Sequence, residues 1–294
     1  MTIVSLATPS ATSMDTSFAV LGTSIALYNV ALPWFRSIKP GKDEEVLKHL
    51  AMDFSMTPIR LMLAYLSFPI LRQCFISGSK WTENDIQASH SAWILLSLGY
   101  LFDMVTTKPD LMGIVHHSIA FGSTAFSISA MSDTTGTAFW HRYQSAELFF
   151  AISAGGMVGT ALRVAYLFAS LHGHEVPRVH QIIVTCLTWS LTAIISLGWA
   201  FKILYIHQTA PLFWNLFGPI GVLFVLAALS VIFAVQYRWI FMWSAKADRL
   251  TEKAGHARNI NGTLRRIPLR SVVAGLSIGM VDFGRLYVQL LRAV

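Results

Sequence analysis

Long apolar stretches separated by short polar connectors form the main pattern of this chain. A helix needs about 20 mostly apolar residues to cross the hydrocarbon core of a bilayer. The stretches of about that length lie near residues 16–35, 57–77, 89–106, 111–132, 139–171, 180–205 and 211–245. The pattern predicts an all-α fold, namely a polytopic transmembrane helical bundle of about seven spanning helices.

Two of these stretches, 139–171 and 211–245, are longer than a single crossing requires. A helix that exceeds the bilayer thickness tilts, kinks or extends beyond the membrane. Sharp kinks arise at proline, at small residues or at π-bulges. We therefore expect local irregularity at Gly155-Gly156 in the first long stretch and at Pro219 in the second.

The two largest polar segments flank the predicted core. In the first, Val46, Leu50 and Phe54 recur at i, i+4 and i+8, which predicts an amphipathic helix lying in the membrane interface. The second is strongly basic and precedes an amphipathic C-terminal segment, which we interpret as a surface helix rather than an eighth span. This organisation gives three parts: 1–56, the first span with a cytosolic amphipathic loop; 57–245, a six-helix core; and 246–294, a basic cytosolic tail.

Composition supports the membrane interpretation, because 54% of the residues are hydrophobic and only 13% are charged. Soluble domains carry about 25% charged residues. The net charge of +7 comes from residues between the apolar stretches and in the tail, so anionic lipid headgroups are expected partners and nucleic acid is not. The asymmetry of Lys and Arg between alternate connectors predicts a cytosolic C-terminus, which would leave the Asn261-Gly262-Thr263 sequon unglycosylated.

The residues that could carry chemistry lie on either side of one polar turn, residues 106–110. Asp103 precedes the turn, and His116 and His117 follow it, all within roughly 10 Å of the same membrane surface. Ionisable side chains at membrane depth are costly and usually face a protein interior or a cavity. Adjacent histidines diverge by about 100° on a helix, so one could face Asp103, which would fix its tautomer, while the other faces a cavity.

Two interpretations of this constellation stay open. An oriented imidazole can act as a general base or a nucleophile, with Asp103 as the orienting group. Alternatively, neutral imidazoles can join helices by hydrogen bonds and have no chemical role. A metal site is not expected, because the histidine pair lacks the further ligands at defined spacing that zinc requires.

Other intramembrane charges extend the candidate site. Glu147 lies near the lumenal start of the fifth stretch, and Arg163 lies about 24 Å further along the same helix. That places Arg163 near the depth of His116, where it could bind a phosphate or headgroup, or form a salt bridge with Asp103. Arg60 is expected to extend to an interface, and Lys202 is expected near the lumenal surface.

These residues resemble the TLC-domain family of membrane proteins. The resemblance rests on Gly99-Tyr100-Leu101-Phe102-Asp103, the short turn, the His116-His117 pair at the start of the next helix, and Glu147 about thirty residues later. It covers roughly residues 81–205. It implies a multi-spanning protein, often of the endoplasmic reticulum, that handles lipids. In the ceramide synthases of this family, an acyl chain passes from acyl-CoA to an amine, which would give His116 or His117 the chemical role and Asp103 the orienting role.

The chain departs from the ceramide synthases at several positions. Their polar signature after the histidine pair, with a later His-Asp-x-x-Asp, is missing, and no His-Asp dipeptide occurs anywhere. Gly156 stands where some relatives place an arginine, nine residues after the glutamate. The resemblance is therefore nearer to the family's members outside the ceramide synthases.

We expect a protein of membrane lipid homeostasis that binds or modifies an acyl lipid in the bundle interior. The alternatives are an acyl-CoA-dependent N-acyltransferase and a lipid or small-molecule transporter, so whether the protein is an enzyme stays open. The catalytic candidates are Asp103, His116 and His117, and the substrate-binding candidates are Glu147 and Arg163. No cofactor is expected beyond acyl-CoA as a co-substrate of the acyltransferase; the partners are membrane lipids, and a homodimer stays open.

Overall fold

The structure is a computed structural model in which residues 11–73, 82–109, 111–129, 143–172, 176–208 and 210–256 are described. Every regular element in these ranges is a helix, which confirms the all-α class. The helices are α1 (Ala11–Ile38), α2 (Glu44–Ser55), α3 (Thr57–Gln73), α4 (Glu83–Thr106), α5 (Leu111–Ser129), a π-helix (Glu147–Gly155) preceded by one turn of α-helix, α6 (Gly156–Leu171), α7 (Arg178–Gln208) and α8 (Ala210–His256).

Within the described ranges, five helical segments are long and apolar enough to cross a membrane, which is consistent with an integral membrane protein. They are Asp15–Ile38, Glu44–Arg72, Tyr143–Leu171, Arg178–Gln208 and Gly218–Leu250. Helices α4 and α5, which carry the aspartate and the histidine pair, are not among the five. The count of seven spans therefore stays a prediction.

Large apolar side chains are exposed on helices throughout the described chain. Tyr65 on α3, Val105 on α4 and Ile220 on α8 are 74%, 77% and 83% exposed. Backbone groups within these helices are hydrogen-bonded internally, so such surfaces can face lipid without an unsatisfied polar group. The exposed Tyr65 and Ile220 thus agree with two of the candidate membrane spans, whereas Val105 lies on a helix outside the five.

The first long stretch is irregular where its small residues predicted. The π-helix ends at Gly155, and α6 begins at Gly156. A Cβ atom on Gly155 would lie 2.9 Å from the carbonyl oxygen of Phe150, five residues earlier, so the wider π turn brings backbone into the space of a side chain. Ser153 donates a hydrogen bond of 2.6 Å to the carbonyl oxygen of Leu148, again five residues earlier. The predicted irregularity at Gly155-Gly156 is confirmed.

The second irregularity lies in α8, one residue from the predicted position. Gly218 has φ 58° and ψ 177°, a conformation that essentially only glycine adopts, and it precedes Pro219. Proline has no N–H to donate, and its ring clashes with the preceding turn of a helix. The helix therefore kinks at this pair, which confirms the predicted break.

The connection from α1 to α2 is a tight turn fixed by polar contacts. Gly41 has φ 82°, and Asp43 caps α2 by accepting a hydrogen bond of 2.8 Å from the backbone N–H of Glu45. The Arg36 side chain pairs with Glu44 across the turn. A carboxylate in the first turn is also favoured by the helix dipole.

Helix α2 is amphipathic as predicted, but its packed face differs from the predicted one. Leu47, Leu50 and Ala51 are buried, whereas Val46 and Phe54 are 47% and 38% exposed. Positions i, i+3 and i+4 share one helix face, and here that face packs against α1. Val46 and Phe54 flank the buried face, and the partly exposed Phe54 ring still meets Phe35 of α1 edge to face, with centroids 6.3 Å apart.

The chain divides into two compact units. The first comprises Met1–Thr160 and Ile194–Val231; the second comprises Ala161–Ala193 and Ile232–Val294. In the first unit, α1 packs against α2, α3 and α4, while α3 packs against α4 and the π-helix, and α4 against α5. One core cluster joins them: Met52, Met56, Ile59, Leu63, Ala92, Trp93, Leu95, Leu96, Tyr100 and Leu148. Tyr100 belongs to this core, so the core directly adjoins the candidate site.

Several predictions concern residues outside the described part of the chain. The basic tail beyond residue 256, the Asn261 sequon and the amphipathic segment 271–294 all lie there.

Candidate functional site

Tyr100 on α4 lies between the two histidines of α5. Its hydroxyl is 3.1 Å from Nε2 of His116, a hydrogen bond whose direction depends on the tautomer of the ring. The His117 ring stacks on the Tyr100 ring, with centroids 4.4 Å apart and an angle of 22° between the planes. The two neighbouring imidazoles thus contact different parts of the Tyr100 side chain. His116 contacts the hydroxyl, and His117 contacts the face of the ring.

Asp103 lies one turn after Tyr100 and faces His117. Its Oδ2 is 3.5 Å from Nε2 of His117, which is an electrostatic contact slightly longer than an ordinary hydrogen bond. The Thr107 hydroxyl donates to the other carboxylate oxygen, Oδ1, at 2.9 Å and also lies 2.9 Å from the main-chain carbonyl oxygen of Asp103. The end of α4 therefore holds the carboxylate in place, and the structure confirms that one histidine of the pair faces Asp103.

The contact with Asp103 has a consequence for the second nitrogen of His117. A neutral imidazole beside a carboxylate carries its proton on the nitrogen that faces the carboxylate. Nδ1 of His117 is then a lone-pair acceptor. This atom is buried and has no hydrogen-bond partner among the described residues. A buried basic nitrogen, oriented by a carboxylate on its far side, is the arrangement that a general base or a nucleophile requires.

Glu147 reaches this cluster from the start of the π-helix. It forms an ion pair with Lys202 of α7, and its carboxylate also acts electrostatically on Tyr100 and His116. Lys202 is only 2% exposed, and its Nζ lies 3.9 Å from the centroid of the Trp199 ring. The site thus combines a buried carboxylate–ammonium pair with two imidazoles and a phenol.

Within the first unit, Glu147 of the fifth stretch acts electrostatically on His116. The depth expected for Arg163 stays a prediction.

Sequence reasoning did not include Lys202 among the functional candidates, and the structure buries it and pairs it with Glu147. A signal was available. Glu147 lies near the start of one long apolar stretch, and Lys202 lies near the end of the next. Opposite charges at matching ends of antiparallel neighbours are candidates for a pair, because each charge would be costly alone.

Arg60 forms a network of polar contacts inside the first unit, and its expected extension to a membrane interface stays a prediction. Its guanidinium donates to the main-chain carbonyl oxygen of Asp53 at 2.8 Å, lies 3.3 Å from the Asp53 carboxylate, and donates to the Thr160 hydroxyl. The Arg60 side chain passes over Gly156, where a Cβ atom would lie 2.6 Å from Nε. The absence of a side chain at Gly156 thus makes room for Arg60.

Arg163 belongs to the second unit, where its guanidinium carbon lies 5.9 Å from the centroid of the Trp239 ring. Asp103, in the first unit, contacts Thr107 and His117. The salt bridge expected between Arg163 and Asp103 stays a prediction.

Among the described residues, no group of three or more His, Cys, Asp or Glu side chains is arranged to hold a metal ion. Comparisons with protein-family models, curated proteins and solved structures gave no match to this chain.

Proposed function

We propose that this chain is a TLC-like multi-pass membrane protein of lipid homeostasis, which binds or modifies an acyl lipid beside Tyr100, His116 and His117. One observation carries the proposal: Nδ1 of His117 is buried without a hydrogen-bond partner in the described chain, while Asp103 faces the opposite nitrogen. Buried polar atoms in native proteins nearly always have a partner, so an orphaned acceptor indicates a bound group that donates a hydrogen bond. A lipid hydroxyl, amide or ammonium would supply that donor.

The surroundings of the cluster fit a lipid better than a water-soluble ligand. Tyr100 is part of the apolar core, and Leu101 and Val105 on the same helix are 52% and 77% exposed. A lipid headgroup would match the polar histidine cluster, and an acyl chain would match the apolar surface of the helices. The endoplasmic reticulum and a cytosolic C-terminus belong to this proposal, and a glycan on Asn261 would contradict the orientation.

The test is mass spectrometry of lipids that co-purify with the full chain, in mild detergent. We expect an acyl lipid with the wild-type chain, strong loss of it with His116→Gln/His117→Gln, and retention with His49→Gln. His49, on α2, is a matched control because it takes no part in the cluster. Equal lipid retention by the double variant, with helix content and monodispersity preserved, would contradict the proposal.

A second candidate function is acyl transfer from acyl-CoA to a lipid amine, and the Asp103–His117 contact favours it. Nδ1 of His117 would accept a proton from the amine while the amine nitrogen attacks the carbonyl carbon of the thioester. A C–N bond then forms, the C–S bond breaks, and the proton passes to the leaving thiolate to give free CoA. Release of CoA that requires both a long-chain amine and His117 would support this reaction. If acyl-CoA and a panel of long-chain bases give no release with folded protein, the acyltransferase candidate fails.

A transporter is the third candidate, and the buried Glu147–Lys202 pair is the feature that favours it. Intramembrane ion pairs often mark a pathway for ions or polar substrates. Flux of fluorescent lipids across proteoliposomes, lost in Glu147→Gln and retained in Glu45→Gln, would distinguish transport from acyl transfer.

A further inference from the structure

The second unit contains a cluster of cations and aromatic rings that the histidine site does not use. Arg163 and Tyr166 lie on α6, and Trp239, Trp243 and Lys246 lie on α8. All five belong to the second unit. We call this set the cation–aromatic cluster.

Each cation of the cluster contacts an aromatic ring. The guanidinium carbon of Arg163 lies 5.9 Å from the centroid of the Trp239 ring. Nζ of Lys246 lies 4.2 Å from the centroid of the Trp243 ring and 5.6 Å from that of Tyr166. The Tyr166 and Trp243 rings meet edge to face, with centroids 5.8 Å apart. A cation–π contact stabilises a positive charge without neutralising it.

Two hydrogen-bond donors of the cluster have no partner among the described residues. The indole Nε1 atoms of Trp239 and Trp243 are buried and unpaired, and the Trp243 residue is only 3% exposed. A buried indole N–H usually finds an acceptor. Two such donors, one turn apart on α8, indicate an acceptor group that the described residues do not provide.

The net positive charge of the described side chains in the second unit favours an anion as the acceptor group. Among the described side chains of the unit, five cations stand against one anion: Arg163, Arg178, Arg238, Lys246 and Arg249 against Asp248. Lys246 also lies four residues before the end of the apolar segment Gly218–Leu250, where a bilayer headgroup region would begin. A positive interfacial cluster of this kind attracts anionic lipids.

We propose that the cation–aromatic cluster binds the phosphodiester group of an anionic phospholipid. Lys246 and Arg163 supply the positive charge, and the indole N–H groups of Trp239 and Trp243 donate to phosphate oxygens. The rings of Trp239 and Trp243 already contact Arg163 and Lys246, so they hold the two cationic side chains in position before the lipid binds. This site lies in the other unit from the histidine cluster and does not depend on the function proposed for that cluster.

The test is native mass spectrometry of the full chain titrated with phosphatidylglycerol, with phosphatidylcholine and inorganic phosphate as comparison ligands. We expect saturable binding of phosphatidylglycerol, and a loss of about tenfold in affinity for Lys246→Gln and for Arg163→Gln, because each removes a charge-assisted hydrogen bond. Trp243→Phe keeps the aromatic face and removes the N–H, so a several-fold loss there would support the role of the indole donor. Lys246→Arg should retain binding.

Matched controls separate a built site from general surface charge. Arg238→Gln removes an exposed cation from the same helix, and Trp189→Phe changes an exposed indole of the same unit; both should leave binding unchanged. Equal losses in Arg238→Gln and Lys246→Gln would overturn the proposal in favour of diffuse attraction. Competition by inorganic phosphate at the concentration of the lipid would also overturn the lipid assignment, since it would identify a site for free phosphate. Unchanged binding in both Lys246→Gln and Arg163→Gln would overturn the site itself.

Discussion

The Glu147 carboxylate pairs with the Lys202 ammonium inside the first unit, where Lys202 is only 2% exposed. The pair links the start of the π-helix to α7 and places a carboxylate within electrostatic reach of Tyr100 and His116. Each charge makes the burial of the other tolerable. A buried pair of this kind adds little net stability, but removal of one member leaves the other uncompensated.

Lys202→Met should therefore destabilise the first unit strongly. Loss of one partner from a buried pair costs about 3–5 kcal/mol. Replacement of both partners, as Glu147→Leu/Lys202→Met, should restore most of that loss. The measurement is thermal or denaturant unfolding of the purified chain in detergent.

The exposed pair Glu45–Lys48 provides the control for this experiment. Its side chains are 35% and 30% exposed, so Lys48→Met should cost less than about 1 kcal/mol. If Lys202→Met were as mild as Lys48→Met, the buried ion pair would not be a determinant of stability.

Two substitutions at Tyr100 should separate its hydrogen bond from its ring contact. Tyr100→Phe removes the hydroxyl that faces His116 and should cost about 0.5–1.5 kcal/mol. Tyr100→Leu also removes the stacking on His117 and should cost roughly a further 0.5–1.5 kcal/mol. Unfolding measurements report stability, and retention of co-purified lipid reports the site. Retention that is unchanged in Tyr100→Leu would show that the tyrosine does not position the histidines.

Alanine at Gly155 or Gly156 should destabilise the junction between the π-helix and α6. At Gly156 the new Cβ would meet Nε of Arg60 at 2.6 Å, and at Gly155 it would meet the Phe150 carbonyl oxygen at 2.9 Å. Overpacking of this kind costs about 1–3 kcal/mol. We expect Gly155→Ala to be the more damaging, since a backbone carbonyl cannot rotate away as a side chain can.

Gly22→Ala is the control for steric crowding, because no atom of the described residues, apart from the adjoining backbone of its own helix, lies within 4 Å of the new Cβ. In an exposed helix interior this change should stabilise by roughly 0.5–1 kcal/mol. Equal unfolding midpoints for Gly22→Ala and Gly155→Ala would contradict the close packing at the junction.

Gly218→Ala tests backbone conformation alone. Among the described residues, no atom beyond the adjoining chain lies within 4 Å of the new Cβ, but φ is 58° and ψ is 177°. A side chain in that region costs of order 1–3 kcal/mol, so we expect destabilisation or straightening of the kink in α8. Circular dichroism and thermal unfolding would measure the effect. A neutral result would mean that α8 does not need the kink for stability.

Much of the fold could be predicted because it depends on local patterns. Apolar stretches of membrane-spanning length predicted the helices. The small residues Gly155-Gly156 and the proline Pro219 predicted the two irregular positions. The polar turn after Asp103 was also predictable, because Thr107 and Pro109 end one helix before the next begins at Leu111. Each of these depends on neighbours in the chain.

The candidate site was predictable only in part. The contact between Asp103 and the histidine pair follows from one short turn between adjacent helices, and the structure confirms it through His117. The central position of Tyr100 was not predicted, although the residue lies in the same motif. Which face of α4 meets α5 depends on how the two helices rotate against each other, and residue spacing does not specify that rotation.

By itself, the sequence determined that this chain is helical, apolar enough for a membrane, and polar at one particular turn. Only the tertiary structure decided that Lys202 pairs with Glu147, that Arg60 passes over Gly156, and that Nδ1 of His117 is a buried acceptor without a partner in the described chain. The physical reason is that a helix depends on residues close together in the chain, whereas the partner of a buried charge depends on how helices far apart in sequence pack together.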